Sequence, residues 1–136
     1  MRGILLDTCA LIWTLEGADM TASSKLSITQ EAREGKLFVN PMSAWEVGML
    51  VSKNRLNLTM SVEKWFDQIT TSPFFTLAKL TPSVLIQSTI LPSKPPSDPA
   101  DKIMIAMARE NQWSLMTRDK QILNYGQMGH VQTVEC

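Results

Sequence analysis

The chain has 136 residues, 44% of them hydrophobic and 19% charged; roughly 60 apolar side chains suffice for one buried core and are too few for two, so a single domain is expected. Thirteen Lys+Arg balance thirteen Asp+Glu, which excludes a global electrostatic pull toward nucleic acid or anionic lipid and leaves any polyanion contact to local placement. No apolar run approaches the ~20 residues of a membrane span. After Arg2 the apolar stretch meets Asp7 too soon for the ~7–15-residue centre of a secretory signal, so a cytoplasmic protein without membrane contact is expected.

Residues 3–6 are a continuous apolar run of the kind a strand buried on both faces needs, and the run ends at Asp7. Residues 8–15 suit a short helix stopped by Gly17, and residues 23–34 a second one, capped by Ser23 or Ser24 and closed by Gly35. Residues 36–39 predict a second strand ended by Asn40-Pro41, after which Ser43 caps a helix over residues 44–51. Ser61 precedes an amphipathic segment with Val62, Trp65, Phe66 and Ile69 that stops before Pro73. Residues 75–80 predict a third strand and residues 82–90 a helix; a proline loop over residues 92–99 leads to a helix at 99–110 that is apolar all round its middle, as a central helix is. Residues 113–117 predict a fourth strand, a short helix follows Asp119, and residues 130–134 predict a fifth strand. Strands alternating with helices predict an α/β fold of three layers, α/β/α, on a mostly parallel sheet of four to five strands.

In such sheets ligands bind beyond the carboxyl ends of the strands, and four segments bring acids there: Asp7, Glu46, Asp98 with Asp101, and Asp119. Each has an alternative reading. Asp98 before Pro99 is an N-cap with proline at the first helical position, Asp101 favours a helix dipole, and Asp119 caps the last helix. Glu46 shares a stripe with Met42, Met49 and Leu50, and Asp7 abuts Leu5 and Leu6, so both need compensation for burial, Glu46 from a nearby cation.

One His and two Cys supply a soft metal poorly, whereas clustered carboxylates suit Mg²⁺ or Mn²⁺. Such an ion relieves the repulsion among the acids and supports phosphodiester hydrolysis by activating and orienting a water. Lys94 and Lys102, Arg118 and Lys120, and Lys53 and Arg55 flank the acidic segments, either as contacts to a polyanion or as solvated surface charge. Thr8 and Thr117 are candidates to orient the carboxylates or cap strand ends. Cys9 and Cys136 read as free thiols.

The segments LLDTCALIW, SAWEVGMLVSKNRL, SDPADKIMIAMA and LMTRD, in that order across nearly the whole chain, resemble the PIN-domain ribonucleases, in particular toxins of the VapC type from prokaryotic toxin–antitoxin pairs. The resemblance implies an RNA-cleaving toxin whose Mg²⁺/Mn²⁺ site is formed by Asp7, Glu46, Asp101 and Asp119, with Asp98 accessory. It further implies an antitoxin partner and a homodimer. Many members carry His where Cys9 stands and Arg where Lys102 stands, and Lys does not reproduce a bidentate Arg grip on phosphate. Trp65, Phe66, Phe74 and Phe75, and likewise Leu11, Trp13 and Leu15, are candidates either for a partner groove or for plain core. Two other readings remain open: a non-enzymatic receiver-type phosphoacceptor, whose paired acids after the first strand are missing here, and a catalytically idle PIN-like module that binds RNA or protein.

Overall fold

The structure, a computed structural model, describes residues 3–17 and 20–136; Arg2, which entered the signal-sequence argument, lies outside them. In chain order the described residues form β1 (Ile4–Leu6), α1 (Thr8–Glu16), α2 (Ala22–Arg33), β2 (Leu37–Val39), α3 (Met42–Ser52), α4 (Val62–Thr71), β3 (Thr76–Leu77), α5 (Pro82–Ser88), α6 (Pro99–Asn111), β4 (Ser114–Thr117), α7 (Lys120–Gln127) and β5 (Thr133–Glu135). The five strands make one sheet in the order β3-β2-β1-β4-β5, and each neighbouring pair is parallel. None of the described helices is long and apolar enough to cross a membrane.

Side chains of a strand alternate between the two faces of its sheet, and the central strand β1 shows what that does here. Ile4 and Leu6 join a core with Leu11 of α1, Ile28 of α2 and Ile69 of α4. Leu5 faces the other way, into a core with Val84 of α5, Ile105 of α6 and Ile122 of α7. Both faces are thereby covered by helices, which gives the three-layer α/β/α architecture and explains why β1 reads as an unbroken apolar run.

Local chemistry sets most boundaries where the sequence put them. Gly17, at φ +66, closes α1, and Asp98 caps α6 with Pro99 in its first turn. Two caps differ from expectation. Thr21, not Ser23 or Ser24, caps α2 by accepting the Ser24 amide at 3.0 Å, while the Ser24 hydroxyl is buried and donates to the Glu135 carbonyl. Ser43 does not cap α3. The wholly buried Asn40 does this work, accepting the Met42 amide at Oδ1 (2.9 Å), and so starts the helix before Ser43 is reached.

Three other elements are shorter or shifted. β3 is only Thr76–Leu77, because β2 offers it three residues and Thr81 then caps α5. α5 ends at Ser88 rather than residue 90, with the Thr89 hydroxyl turned back on the Ile86 carbonyl. β5 spans Thr133–Glu135 instead of residues 130–134: Gly129 turns at φ +88, and the His130 carbonyl accepts the Arg109 guanidinium instead of joining the sheet. Of the aromatic cluster, Phe75 is buried and Trp65 and Phe66 pack against the first core; Phe74 is exposed. Leu11 is buried in that core, Trp13 packs against it half-buried, and Leu15 is exposed.

Candidate active site

β1 and β4 are parallel neighbours, so the residues that follow them leave the sheet on the same rim. Asp7 follows β1 directly. Its amide donates to the Met116 carbonyl at 3.1 Å, and its Oδ1 accepts the Ala10 amide at 2.7 Å, so the residue caps α1. Asp119 follows β4 by two residues and caps α7, with Oδ1 accepting the amides of Gln121 (2.8 Å) and Ile122 (3.2 Å). Between them stands Thr117, fully buried, whose hydroxyl donates to the Asp7 carboxylate and accepts the Asp119 amide at 3.0 Å.

The other two acids arrive on helices. Glu46 lies early in α3, which touches α1 and α6. The Thr8 hydroxyl donates to Glu46 Oε1 at 2.5 Å, and having given up its one proton it accepts from the Ser43 hydroxyl at 3.0 Å. The partner that burial of Glu46 demands is thus a hydroxyl chain, where the sequence led us to expect a cation. Asp101 stands in the first turn of α6, its amide donating to Asp98 Oδ2 at 3.2 Å.

One cleft of about 620 Å³ is lined by Asp7, Glu46, Asp101 and Asp119 together with Thr8, Cys9, Trp13, Ser97, Asp98, Met104, Arg118 and Gln121. Thr117 lies behind it, holding Asp7 and Asp119. Lys102 does not line the cleft, nor do Lys53, Arg55, Lys94 or Lys120, which the sequence offered as polyanion contacts. A larger hollow of about 1080 Å³ opens near the starts of β4 and β5, beside Ser114 and Thr133. It has no carboxylate in its lining, so it is no candidate for the same chemistry.

The acids feel one another. Burial pushes the Asp101 carboxyl up to about 7, and the negative charges of Asp98, Asp119, Glu46 and Asp7 push in the same direction. Asp7 is raised by burial and by Asp119, against the opposing hydrogen bonds of Thr117 and the Ala10 amide. Glu46 is raised by burial and by Asp98 and Asp7, with Thr8 opposing. The Cys9 thiol is pushed up to about 11 by lost hydration and by the charges of Asp7 and Glu46, so it stays protonated at neutral pH. Both cysteines are free, as the sequence suggested.

The donor chemistry fits a hard divalent cation: carboxylate oxygens from four segments whose mutual repulsion an ion relieves. Among the described residues no three Asp, Glu, His or Cys side chains converge tightly enough to close on one ion by themselves. That spacing suits Mg²⁺, which keeps several waters and is commonly gripped by only one or two carboxylates.

Sequence reasoning placed Ser43 as a cap and did not single out Ser97 or Gln121 for the cleft. Ser97 directly precedes Asp98-Pro99 and Gln121 follows Asp119 by two residues, so proximity to the acids was the one available signal. Ser43 reaches the site through Thr8, 35 positions away, which no local pattern reveals.

Residues 4–127 match the PIN domain family. The chain is 31% identical over 126 residues to Ribonuclease VapC22 of Mycobacterium tuberculosis, a match covering 92% of this chain and 93% of that protein. Its fold superposes with a TM-score of 0.67 on VapBC2 from Rickettsia felis, crystallised bound to a DNA fragment from their promoter, over 97% of each chain at 10% identity.

Proposed function

This chain belongs to the PIN domain family and is of its VapC type, and on that premise we propose that it is a Mg²⁺- or Mn²⁺-dependent endoribonuclease acting as the toxin of a toxin–antitoxin pair. The observation that carries the reading is the convergence of Asp7, Glu46, Asp101 and Asp119, from four separate segments, on one cleft in which they raise one another's pKa. The similarity to Ribonuclease VapC22 supports the activity, and the fold shared with VapBC2 is consistent with an antitoxin partner. We extend the reading to a single-domain protein acting in the cytoplasm as a homodimer.

These four acids are the residues that would hold the ion. When bound, a hard divalent cation neutralises phosphate charge and makes water acidic enough to attack phosphorus. The protein's own share is positional. Thr8 fixes Glu46, Thr117 fixes Asp7 and the Asp119 backbone, and Asp98 holds the first turn of α6 on which Asp101 stands. Water is the nucleophile in this reading, because the cleft's thiol, Cys9, is held protonated and the hydroxyls of Thr8 and Ser43 are engaged with each other and with Glu46.

The test is cleavage of RNA by the purified protein with Mg²⁺ or Mn²⁺, with Asp7→Asn and Asp101→Asn alongside. Activity that disappears in EDTA and in both folded variants is the expected result. Cleavage undiminished by chelation overturns metal dependence, and RNA binding without any cutting identifies an idle module. Stable phosphorylation by acetyl phosphate would favour the receiver reading.

A further inference from the structure

We propose that Arg118, stacked on Trp13, is a shelf for one unpaired nucleobase of the RNA, next to the phosphate that the acids address. The proposal rests on the ribonuclease reading and deepens it by naming what the cleft recognises besides phosphate.

Trp13 of α1 is half-buried, one side packed against the first hydrophobic core. The Arg118 guanidinium carbon lies over its ring at 4.1 Å from the centroid. Arg118 Nε donates to the Cys136 carbonyl at 2.6 Å, so the guanidinium is fixed by a hydrogen bond at its edge as well as by the ring beneath it. Both side chains line the cleft that contains the four acids, and Arg118 is exposed. The order of layers is therefore core, indole, guanidinium, cleft.

An arginine that grips phosphate does so through its N–H edge, in bidentate fashion. Here part of that edge is already engaged with Cys136, whereas a planar, weakly hydrated face is turned to an open cleft. Such faces are surfaces on which unstacked bases settle. Among the described residues lining the cleft Arg118 is the one cation, so it also offsets the carboxylates' repulsion of a polyanion. The shelf's position follows from the chain: Arg118 lies between Thr117, which holds Asp7, and Asp119. A base on the guanidinium thus belongs to a nucleotide adjoining the reacting phosphate. In a duplex each base is already stacked on its neighbours, so the substrate is an unpaired stretch.

The experiment uses the metal-loaded protein and an unstructured oligoribonucleotide with a mapped cut site. Each nucleotide near the cut is made abasic in turn, and the same strand is also offered annealed to its complement. One abasic position beside the cut is expected to raise KM about tenfold, as loss of one stacked base does, with kcat nearly unchanged. Arg118→Lys, which keeps the charge and loses the plane, and Trp13→Ala are expected to raise KM similarly on the intact strand. On the abasic strand they add less than about twofold, because the same contact is already gone. Trp13→Phe is expected to restore the intact-strand KM in large part.

Penalties of variant and abasic site that multiply, or a duplex cut as readily as the single strand, overturn the shelf. If the wild-type protein cuts no RNA, the ribonuclease reading has failed instead. Affinity of the same strands by fluorescence anisotropy then decides the shelf, and equal affinity for intact and abasic strands overturns it.

Discussion

The hydroxyl of Thr8 and the carboxylate of Glu46, 38 positions apart in the chain, meet at 2.5 Å and join the first turn of α1 to α3. This hydrogen bond opposes the upward push of burial on the Glu46 pKa, so it keeps available the charged form that a cation needs. Thr8→Val removes the donor while preserving shape. Because partners that orient ligands are commonly worth 10–100-fold in metal affinity or activity, we expect the Mn²⁺ concentration giving half-maximal cleavage to rise by about 10-fold or more, and Thr8→Ser to restore it. An unchanged Mn²⁺ dependence in Thr8→Val would show that Glu46 needs no orienting.

The raised acids make stability depend on pH in a defined direction. Asp101 ionises in the unfolded chain near 3.8 and in the folded chain at about 7, so the folded state binds the proton more tightly. Its contribution to stability is fully present below the unfolded value and is lost as pH rises through about 7; Asp7 and Glu46 shift in the same direction. A divalent cation binds the ionised carboxylates, so Mn²⁺ should raise the melting temperature clearly at pH 8 and little at pH 5. Asp101→Asn should raise the melting temperature of the EDTA-treated protein at pH 8 while abolishing cleavage. Thermal melts at both pH values, with EDTA and with Mn²⁺, check this; an equal Mn²⁺ effect at the two would contradict it.

Much of the fold was legible because short-range chemistry dictated it. The apolar run at Ile4–Leu6 stopped by Asp7, the Asp98-Pro99 start of α6 and the glycine at position 17 each specify a boundary with residues adjacent in sequence. The acids were legible for a related reason: in a parallel sheet a carboxylate following a strand emerges on the ligand-binding rim wherever the strand lies. What failed was whatever depended on distant partners. Ser43 reads locally as a cap and is claimed by Thr8. The expected 130–134 strand is delayed because the His130 carbonyl is taken by Arg109, far upstream. Lys102, next to Asp101, looked like a substrate contact, yet it does not line the cleft, whereas Arg118 does, resting on a tryptophan from the other end of the chain.

Thr117 serves two acids with one hydroxyl, donating to Asp7 and accepting from the Asp119 amide. It is fully buried, so Thr117→Val leaves both groups short of a partner with no room for water to replace it. Unmet buried hydrogen bonding costs about 1–3 kcal/mol, and we expect a loss of that size in urea denaturation. Cleavage should fall as well, because Asp7 loses a restraint on its orientation. A variant as stable and as active as the wild type would mean that Asp7 and Asp119 hold their places without it.

Gly3 offers a test at the other end of the same strand. It enters β1 with φ +148, and an added Cβ would stand 2.8 Å from Phe38 Cε2 and 3.0 Å from Trp113 Cδ1. Those two rings are stacked at 3.7 Å with an interplanar angle of 12°, so neither yields without disturbing the other. Gly3→Ala combines backbone strain with overpacking, and we expect about 2–4 kcal/mol of lost stability in urea denaturation. The acids stand beyond the opposite, carboxyl end of β1, so in folded molecules at low temperature the rate of RNA cleavage and its Mn²⁺ dependence should stay as in the wild type. A Gly3→Ala protein that is fully stable would contradict the packing at the start of the strand. One that is folded but inactive would show that the two ends of β1 are mechanically coupled, and that the rim bearing Asp7 depends on how the strand begins.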